Sequence, residues 1–183
     1  MAVGTPAVSG SVVRVAFHLS ERAWASDEFA KRVGAEELET VSFVHSMDPD
    51  FPVWWTAYPV RAPVIVGWHG GPAARQLSQL PPDQIEARAI ASLARHLHTT
   101  PHRVRRLVEG MWTHDWEHDP FARGAYSYQR VGGAEAPDTL ARPLKRTLFF
   151  AGEATGTSGG TGTVDGAIET GRRAANQILR GRA

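Results

Sequence analysis

The sequence predicts an α+β fold, in which a mixed sheet of short strands packs with helices. Three observations predict it. Several short β-branched runs lie in the first part of the chain, a helical repeat of apolar residues follows Pro82, and a second helical pattern closes the chain. With 183 residues, of which 42% are hydrophobic and 21% charged, the chain has the size and composition of a soluble globular domain.

Four runs before residue 72 predict the strands of the sheet. The first spans residues 12–19, is rich in valine and partly alternates between apolar and polar side chains. The others span residues 40–46, 53–58 and 63–68, and the last of them leads into residues 70–72 (Gly-Gly-Pro), which are typical of a turn. We expect these runs to form a meander of short strands.

A helix is predicted from Pro82, because proline is tolerated in the first turn of a helix. Apolar residues then recur every four positions and define one buried face, formed by Ile85, Ala89, Leu93 and Leu97. Thr100 and Pro101 are typical of a helix start, so a second, short helix is expected to run to Leu107.

The last forty residues combine a strand, a loop and a helix. Residues 147–153 predict a buried strand, and residues 154–162 are nearly all Gly, Ser and Thr. Residues 166–179 predict a helix whose inner face is Ala167, Ile168, Gly171, Ala175 and Ile178. A glycine-rich loop before a helix exposes backbone N–H groups at the positive end of the helix dipole, which suits a phosphate or an electron-rich carbonyl. A glycine-rich turn without a ligand fits the same spacing.

Composition argues against several classes of protein. The net charge of +1 is too small for a broad nucleic-acid surface. The absence of cysteine excludes disulfides, cysteine zinc ligands, thiol nucleophiles and cysteinyl attachment of a cofactor, and it fits a cytoplasmic protein. No run approaches the ~20 apolar residues that cross a bilayer. Residues 1–11 lack the charged-then-apolar order of a secretory signal.

Several motif-like features are weak. Gly160, Gly162 and Gly166 imitate a dinucleotide fingerprint, but no βαβ unit follows them and no Walker lysine is present, so we reject both motifs. The histidines at 96–102 and 114–118 lack the H-E-x-x-H spacing of zinc enzymes, which makes a metal site improbable. A hydrolytic role for Ser127 or Ser158 lacks the G-x-S-x-G elbow.

An aromatic cluster leaves two interpretations open. Its members are Trp112, Trp116, Phe121, Tyr126 and Tyr128. Aromatic side chains on loops can form the wall of a flat cofactor or substrate site, and they fit a hydrophobic core equally well.

Three segments closely resemble the flavin-dependent amine oxidases, a family that includes monoamine, polyamine and L-amino-acid oxidases and histone demethylases. Residues 148–155 and 162–175 resemble its C-terminal signature, and residues 116–127 resemble its W-x-x-D-P-F-x-x-G-x-Y-S segment. Residues 14–24 resemble its substrate-domain strand, where a lysine stands ten residues before a tryptophan. The resemblance implies that residues 1–115 are substrate-domain-like, that residues 116–183 are the C-terminal FAD-binding segment, and that the N-terminal dinucleotide-binding half is missing.

The family implies an amine substrate and FAD as cofactor. A hydride would pass from the amine-bearing carbon to flavin N5, the imine would hydrolyse in water, and dioxygen would reoxidise the flavin to give hydrogen peroxide. The cofactor-binding positions implied by the resemblance are Trp116, Gly152, Glu153, Gly162, Thr163, Val164 and Ala167. Gly152 and Glu153 would donate backbone N–H groups along the pyrophosphate and ribityl chain. The Val164 N–H would face the flavin C2 carbonyl.

The catalytic positions implied by the resemblance are Arg14 and Tyr126. Tyr126 would form one wall of an aromatic cage, and Arg14 stands where the family usually has a lysine linked through water to flavin N5. Thr163 replaces the second cage aromatic, and Ala125 replaces the cysteine that attaches flavin in some members, so FAD would be non-covalent. Since no G-x-G-x-x-G half is present, we expect weak or no flavin retention by this chain alone. The alternative is a non-catalytic remnant, or a subunit whose partner carries the nucleotide-binding half.

Overall fold

The computed structural model describes residues 7–34, 38–157 and 159–181. The chain divides into two compact units: the larger is Ser11–Ala122, and the smaller joins Arg123–Ala183 to the residues up to Gly10. The elements of the larger unit are strands β2 (Val12–Leu19), β3 (Phe43–His45), β4 (Val53–Thr56), β5 (Val64–Gly70) and β6 (Val108–Thr113) and helices α1 (Asp27–Val33), α2 (Pro72–Ser78), α3 (Pro82–His96) and α4 (Pro101–Leu107). Those of the smaller unit are β1 (Ala7–Ser9), β7 (Ser127–Gln129), α5 (Ala136–Leu140) and α6 (Val164–Arg180). The functional assignment of residues 1–115 and 116–183 stays a prediction.

The larger unit is built on a five-stranded sheet in the order β3–β4–β5–β2–β6. Every one of its strand pairs is antiparallel, with Val15 opposite Gly67 on β5 and opposite Thr113 on β6. All four strands predicted before residue 72 are present, although β3 and β4 are shorter than predicted. The predicted α+β class is confirmed, but the five-stranded sheet, predicted to be mixed, is antiparallel throughout.

One face of this sheet carries the hydrophobic core. Val15, Phe17 and Leu19 alternate inward along β2 and are fully buried. They form one cluster with the face of α3 that the four-residue repeat predicted. Thr100 caps α4 as predicted, since its side chain accepts a hydrogen bond from the Arg103 N–H.

Trp54 fixes the position of α3 through a buried polar link. Its Nε1–H donates to Ser92 Oγ at 3.2 Å, and the Ser92 hydroxyl donates to the Phe51 carbonyl at 3.2 Å. The indole ring lies over Gly67 on the next strand, where an added Cβ would be 2.8 Å from the ring. Gly67 therefore makes room for the largest side chain of the core.

The smaller unit is held by β1, by β7 and by α6. Ala7 and Ser9 on β1 lie opposite Gln129 and Ser127 on β7. The short helix α5, Ala136–Leu140, buries Ala136 and Pro137. A single 3₁₀ turn, Glu153–Thr155, precedes the glycine-rich segment. No helix among the described residues is long and apolar enough to span a membrane.

Two predictions for the smaller unit are wrong. Residues 147–153 form no strand; only an isolated bridge joins Leu144 to Leu148, and Phe150 is 41% exposed. Apolar composition indicated burial, but no strand of the described residues lies beside this segment to pair with its backbone.

The buried face of α6 also differs from the prediction. It consists of Gly166, Thr170 and Ala174, whereas Ile168 is 51% exposed. Small residues let the helix approach neighbouring backbone closely, so the small stripe packs inward and the larger apolar side chains point outward.

Replacing Ser92 tests the polar link inside the core. We expect Ser92→Ala to lower the free energy of unfolding by about 1–3 kcal/mol, because the Trp54 Nε1–H and the Phe51 carbonyl lose their buried partner. Urea denaturation followed by tryptophan fluorescence measures this. Gln84→Ala, on the exposed side of the same helix, is the control and should change stability by less than about 0.5 kcal/mol. Equal stability of Ser92→Ala and wild type would contradict the assignment.

Candidate functional site

The Glu153 carboxylate joins the start of strand β7 to the glycine-rich segment of the smaller unit. Its Oε1 accepts from the Ser127 N–H, and its Oε2 accepts from the Ser127 hydroxyl and from the Gly162 N–H, each at 2.8 Å. Charge-assisted bonds of this kind are roughly twice as strong as neutral ones. The side chain of Glu153 therefore has a shaping role, since both of its carboxylate oxygens bond to groups of the protein.

Thr170 and Arg173 hold the other side of the same segment. The Gly152 N–H donates to Thr170 Oγ1 at 3.0 Å, so this group, predicted to donate to a cofactor, already has a partner. Arg173 donates from Nη1 to the Thr155 carbonyl and from Nη2 to the Phe150 carbonyl, both at 2.8 Å. Residues 150–155 are thus fixed to α6 by side chains of the helix itself.

The glycine-rich segment meets α6 by backbone contact. A Cβ added at Gly166 would lie 1.9 Å from the Gly160 carbonyl oxygen, and one added at Gly156 would lie 2.9 Å from the Gly160 carbonyl carbon. Only glycine allows the loop and the first turn of the helix to approach this closely. The predicted glycine-rich turn is therefore a tightly packed one.

The N-terminus of α6 keeps N–H groups available. Thr163 is the N-cap, and its side chain accepts from the Gly166 N–H at 3.0 Å. The first main-chain bond into the helix comes from the Ala167 N–H, which donates to the Thr163 carbonyl. The N–H groups of Val164 and Asp165 precede that bond and have no partner inside the helix. Val164 is 77% exposed, so this end of the helix is accessible.

Trp116 belongs to an exposed loop of the larger unit. Its ring packs edge-on against His114, with ring centroids 4.4 Å apart, and His114 Nε2 lies 2.9 Å from Asp119 Oδ2. The Ala122 and Phe121 N–H groups, with His114, lower the pKa of Asp119. The Asp-Pro-Phe sequence therefore builds a turn, in which Phe121 is 96% exposed.

Tyr126 and Arg14 lie in different units. Tyr126 is exposed, and its carbonyl accepts from the Gly10 N–H at 2.9 Å within the smaller unit. Arg14 is exposed on β2 of the larger unit. The smaller unit brings Gly152, Glu153, Gly162, Thr163, Val164 and Ala167 together, while Trp116 lies in the larger one. Ser158 lies outside the described residues.

Sequence reasoning missed Ser127, Thr170 and Arg173 as residues that shape the segment. The sequence interpretation gave Ser127 a place in the family segment and a rejected hydrolytic role, yet its backbone and hydroxyl both bond to Glu153. Thr170 is a polar residue between the small residues Gly166 and Ala174, and this position was the one feature of the sequence that could have indicated its role. Arg173 follows Arg172, and nothing in the sequence indicated that one of these two arginines bonds to backbone carbonyls.

The helix glycines provide a matched pair of substitutions. We expect Gly166→Ala to lower the unfolding free energy by about 1–3 kcal/mol, because the added methyl group meets the Gly160 carbonyl. Gly171→Ala, in the same helix with nothing within 4 Å of the added Cβ, should raise it by about 0.5–1 kcal/mol. Urea denaturation followed by circular dichroism compares the two. Equal effects would contradict the close contact.

Glu153→Gln tests the hydrogen bonds by which the Glu153 carboxylate joins Ser127 to Gly162. The amide that replaces one carboxylate oxygen is unable to accept a hydrogen bond, so we expect a loss of about 1–3 kcal/mol. Amide hydrogen exchange at Ser127 and Gly162 should accelerate, while exchange at residues of β5 should stay unchanged. Unaltered protection at both Ser127 and Gly162 would contradict the role of Glu153.

Comparison with known proteins identifies the family. The family model described as flavin containing amine oxidoreductase matches residues 7–179. Lysine-specific histone demethylase 1 homolog 3 of Arabidopsis thaliana is 35% identical over 132 residues, which cover 70% of this chain and 8% of that protein. Polyamine oxidase 1 of Oryza sativa subsp. japonica is 34% identical over 149 residues, which cover 69% of this chain and 28% of that protein.

A solved structure shows the same fold. Wild-type putrescine oxidase bound to putrescine superposes with a TM-score of 0.74 at 19% identity, over 95% of this chain and 36% of that chain. This chain therefore spans about a third of that structure and a smaller share of both relatives. The predicted resemblance is confirmed, and the chain belongs to the flavin containing amine oxidoreductases.

Proposed function

We propose that this chain supplies the substrate-side and flavin-side residues of an FAD-dependent amine oxidoreductase. Bound FAD would supply the hydride acceptor for oxidation of an amine to an imine, which water hydrolyses, with dioxygen as the final electron acceptor. The protein contributes binding, orientation and electrostatics to such chemistry. Family membership supports a flavin, and the finer mechanism is part of the proposal.

The N-terminus of α6 is the observation that carries this proposal. The accessible N–H groups of Val164 and Asp165 lie at the positive end of the helix dipole, directly after the glycine-rich segment. Donors fixed in this way stabilise negative charge that develops on a carbonyl oxygen, because they need no reorganisation when the charge appears. The Val164 N–H is our candidate for the flavin C2 carbonyl.

The glycine-rich segment also fits an extended cofactor. A Cβ added at Gly152 or Gly159 meets nothing within 4 Å, so open space adjoins the segment. Glu153, Thr170 and Arg173 would fix the backbone on the inner side. With cysteine absent and Ala125 at the attachment position, the cofactor would be held non-covalently.

Trp116 and Tyr126 are proposed as aromatic contacts of the flavin and of the amine. Both side chains are exposed, which leaves their rings accessible to a ligand. Thr163 acts through its cap on Gly166 and so orients the first turn of the helix. A cytoplasmic location is retained as a proposal.

The second candidate function is that of a subunit whose partner carries the nucleotide-binding half. The observation that favours it is the number of large apolar side chains that the smaller unit exposes, which include Leu148, Phe150, Val164, Ile168 and Leu179. Exposed apolar surface, where it is extensive, is typical of an interaction site. A neighbouring reading frame that encodes a G-x-G-x-x-G half would support this candidate over an active free-standing enzyme.

Flavin titration of the purified chain tests the proposal. We expect weak, reversible binding of FAD that is lost on gel filtration, with FMN binding as well as FAD. This expectation follows because the residues present are proposed to serve the flavin and ribityl portions, which FMN shares with FAD. Flavin fluorescence quenching and visible circular dichroism measure the binding. Lack of any flavin binding at millimolar concentration would contradict the proposal, and stoichiometric retention after gel filtration would contradict the need for a second half.

A matched pair at Val164 then locates the ligand. Val164→Pro removes the N–H, yet proline suits the first position of a helix, and Thr163 before it is already extended at φ −119° and ψ 153°. We expect Val164→Pro to weaken flavin binding at least several-fold without loss of stability. Val164→Ala keeps the N–H and should bind as wild type does. Equal binding by both variants would contradict the placement of the flavin carbonyl.

A further inference from the structure

The sheet face opposite the core carries a positive charge among tryptophans. Because side chains alternate along a strand, Arg14 and Ala16 point away from the buried Val15 and Phe17. The register places Trp68 of β5 opposite Arg14, and Trp112 of β6 opposite Ala16. We call this surface the open face; it consists of Arg14, Ala16, Trp55, Val66, Trp68 and Trp112.

Arg14 crosses the open face toward Trp55. Its Cζ lies 6.0 Å from the centroid of the Trp55 ring, within the range of a cation–π contact. Trp55 is on β4, two strands away, and its opposite residue on β5 is the buried Val66. The guanidinium therefore extends above an apolar floor, at the centre of the sheet.

Two glycines determine where the other indole rings lie. A Cβ at Gly70 would be 2.5 Å from the Trp68 ring, and one at Gly110 would be 2.7 Å from the Trp112 ring. Each tryptophan therefore lies along its own strand, over a glycine two residues away. The Trp68 ring therefore lies on β5 toward Val12, and the Trp112 ring lies on β6 toward His18, on the two strands that border β2.

The charge of Arg14 has no carboxylate partner among the residues that the structure describes. No ion pair joins its guanidinium to an acidic side chain in the described part of the chain, and Glu109, near the far end of β2, pairs with His18 at 3.1 Å. Arginine stays charged at every physiological pH, and its planar fork matches the two oxygens of a carboxylate. Arg14 contacts the Trp55 ring on a face that carries two further tryptophans. Such a surface is suited to a ligand that combines an anionic group with an apolar group.

We infer that the open face binds a carboxylate through Arg14, and that the substrate of the proposed reaction is an amine that carries a carboxylate group. The binding site stands on the geometry of the larger unit, while the substrate class rests on the proposed function. A diamine that is cationic at both ends would meet a like charge at Arg14, which disfavours it. A lysine at the same position would offer only a point charge.

Three ligands of similar size test the inference: phenylacetate and phenylacetamide, which are nearly isosteric and are anionic and neutral, and phenethylamine, which is cationic. Titrations of the whole chain are followed by tryptophan fluorescence. We expect phenylacetate to bind at least 10-fold more tightly than phenylacetamide, phenethylamine to bind most weakly, and added salt to weaken phenylacetate selectively. Equal binding of phenylacetate and phenylacetamide would overturn the inference.

Variants locate the charge. Arg14→Gln should abolish the preference for phenylacetate and Arg14→Lys should retain part of it, whereas Arg106→Gln, an exposed arginine on α4, should leave it unchanged. Retention of the full preference by Arg14→Gln would overturn the inference. In the wild-type chain, the Arg14 Nε–H resonance should shift on addition of phenylacetate, a readout that needs no variant; a fixed resonance at saturation would also overturn it.

The flavin titration separates this inference from the proposed function. Binding of phenylacetate through Arg14 without any flavin binding would support the carboxylate site and count against the proposed function. Flavin binding without a preference for phenylacetate would support the proposed function and overturn the carboxylate site.

Discussion

The contact between Gly166 and Gly160 is the constraint on which the smaller unit depends. With a carbonyl oxygen where a side chain would otherwise stand, the first turn of α6 lies directly against the loop before it. Thr163 then caps the helix, and the Gly162 N–H reaches the Glu153 carboxylate. Accessible helix donors and a fixed loop are therefore consequences of one close approach of backbone to backbone.

The larger unit uses glycine for a different purpose. On the core side, Gly67 admits the Trp54 ring; on the open face, Gly70 and Gly110 receive Trp68 and Trp112. Each indole gains contact area on the sheet where a neighbouring side chain is missing, which keeps large aromatic rings ordered even when they are partly exposed. The two faces of the sheet therefore differ: one packs against α3, and the open face carries the Arg14 guanidinium together with tryptophan rings.

Periodicity predicted α3 and the main strands because each depends on a pattern within its own segment. The strand predicted at residues 147–153 is absent for a physical reason. Apolar side chains indicate that a segment is buried by some surface, but they do not identify a neighbouring strand with which its backbone pairs. α6 carries both a small stripe and an apolar stripe, and composition favoured the wrong one. The family motifs located the glycine-rich segment. They were unable to predict that the Gly152 N–H donates a hydrogen bond to the Thr170 side chain, since the two residues are 18 positions apart.

The outward apolar stripe of α6 has a consequence for how molecules of this chain behave toward each other. Ile168 and Leu179 are exposed, and the net charge is only +1 with an isoelectric point of about 8.3. Near neutral pH the chain therefore has little electrostatic repulsion to oppose attraction between such stripes. Its colloidal stability therefore depends on a ligand or protein that covers the apolar stripe, or on a buffer whose pH is well below the isoelectric point, where protonated histidines add positive charge.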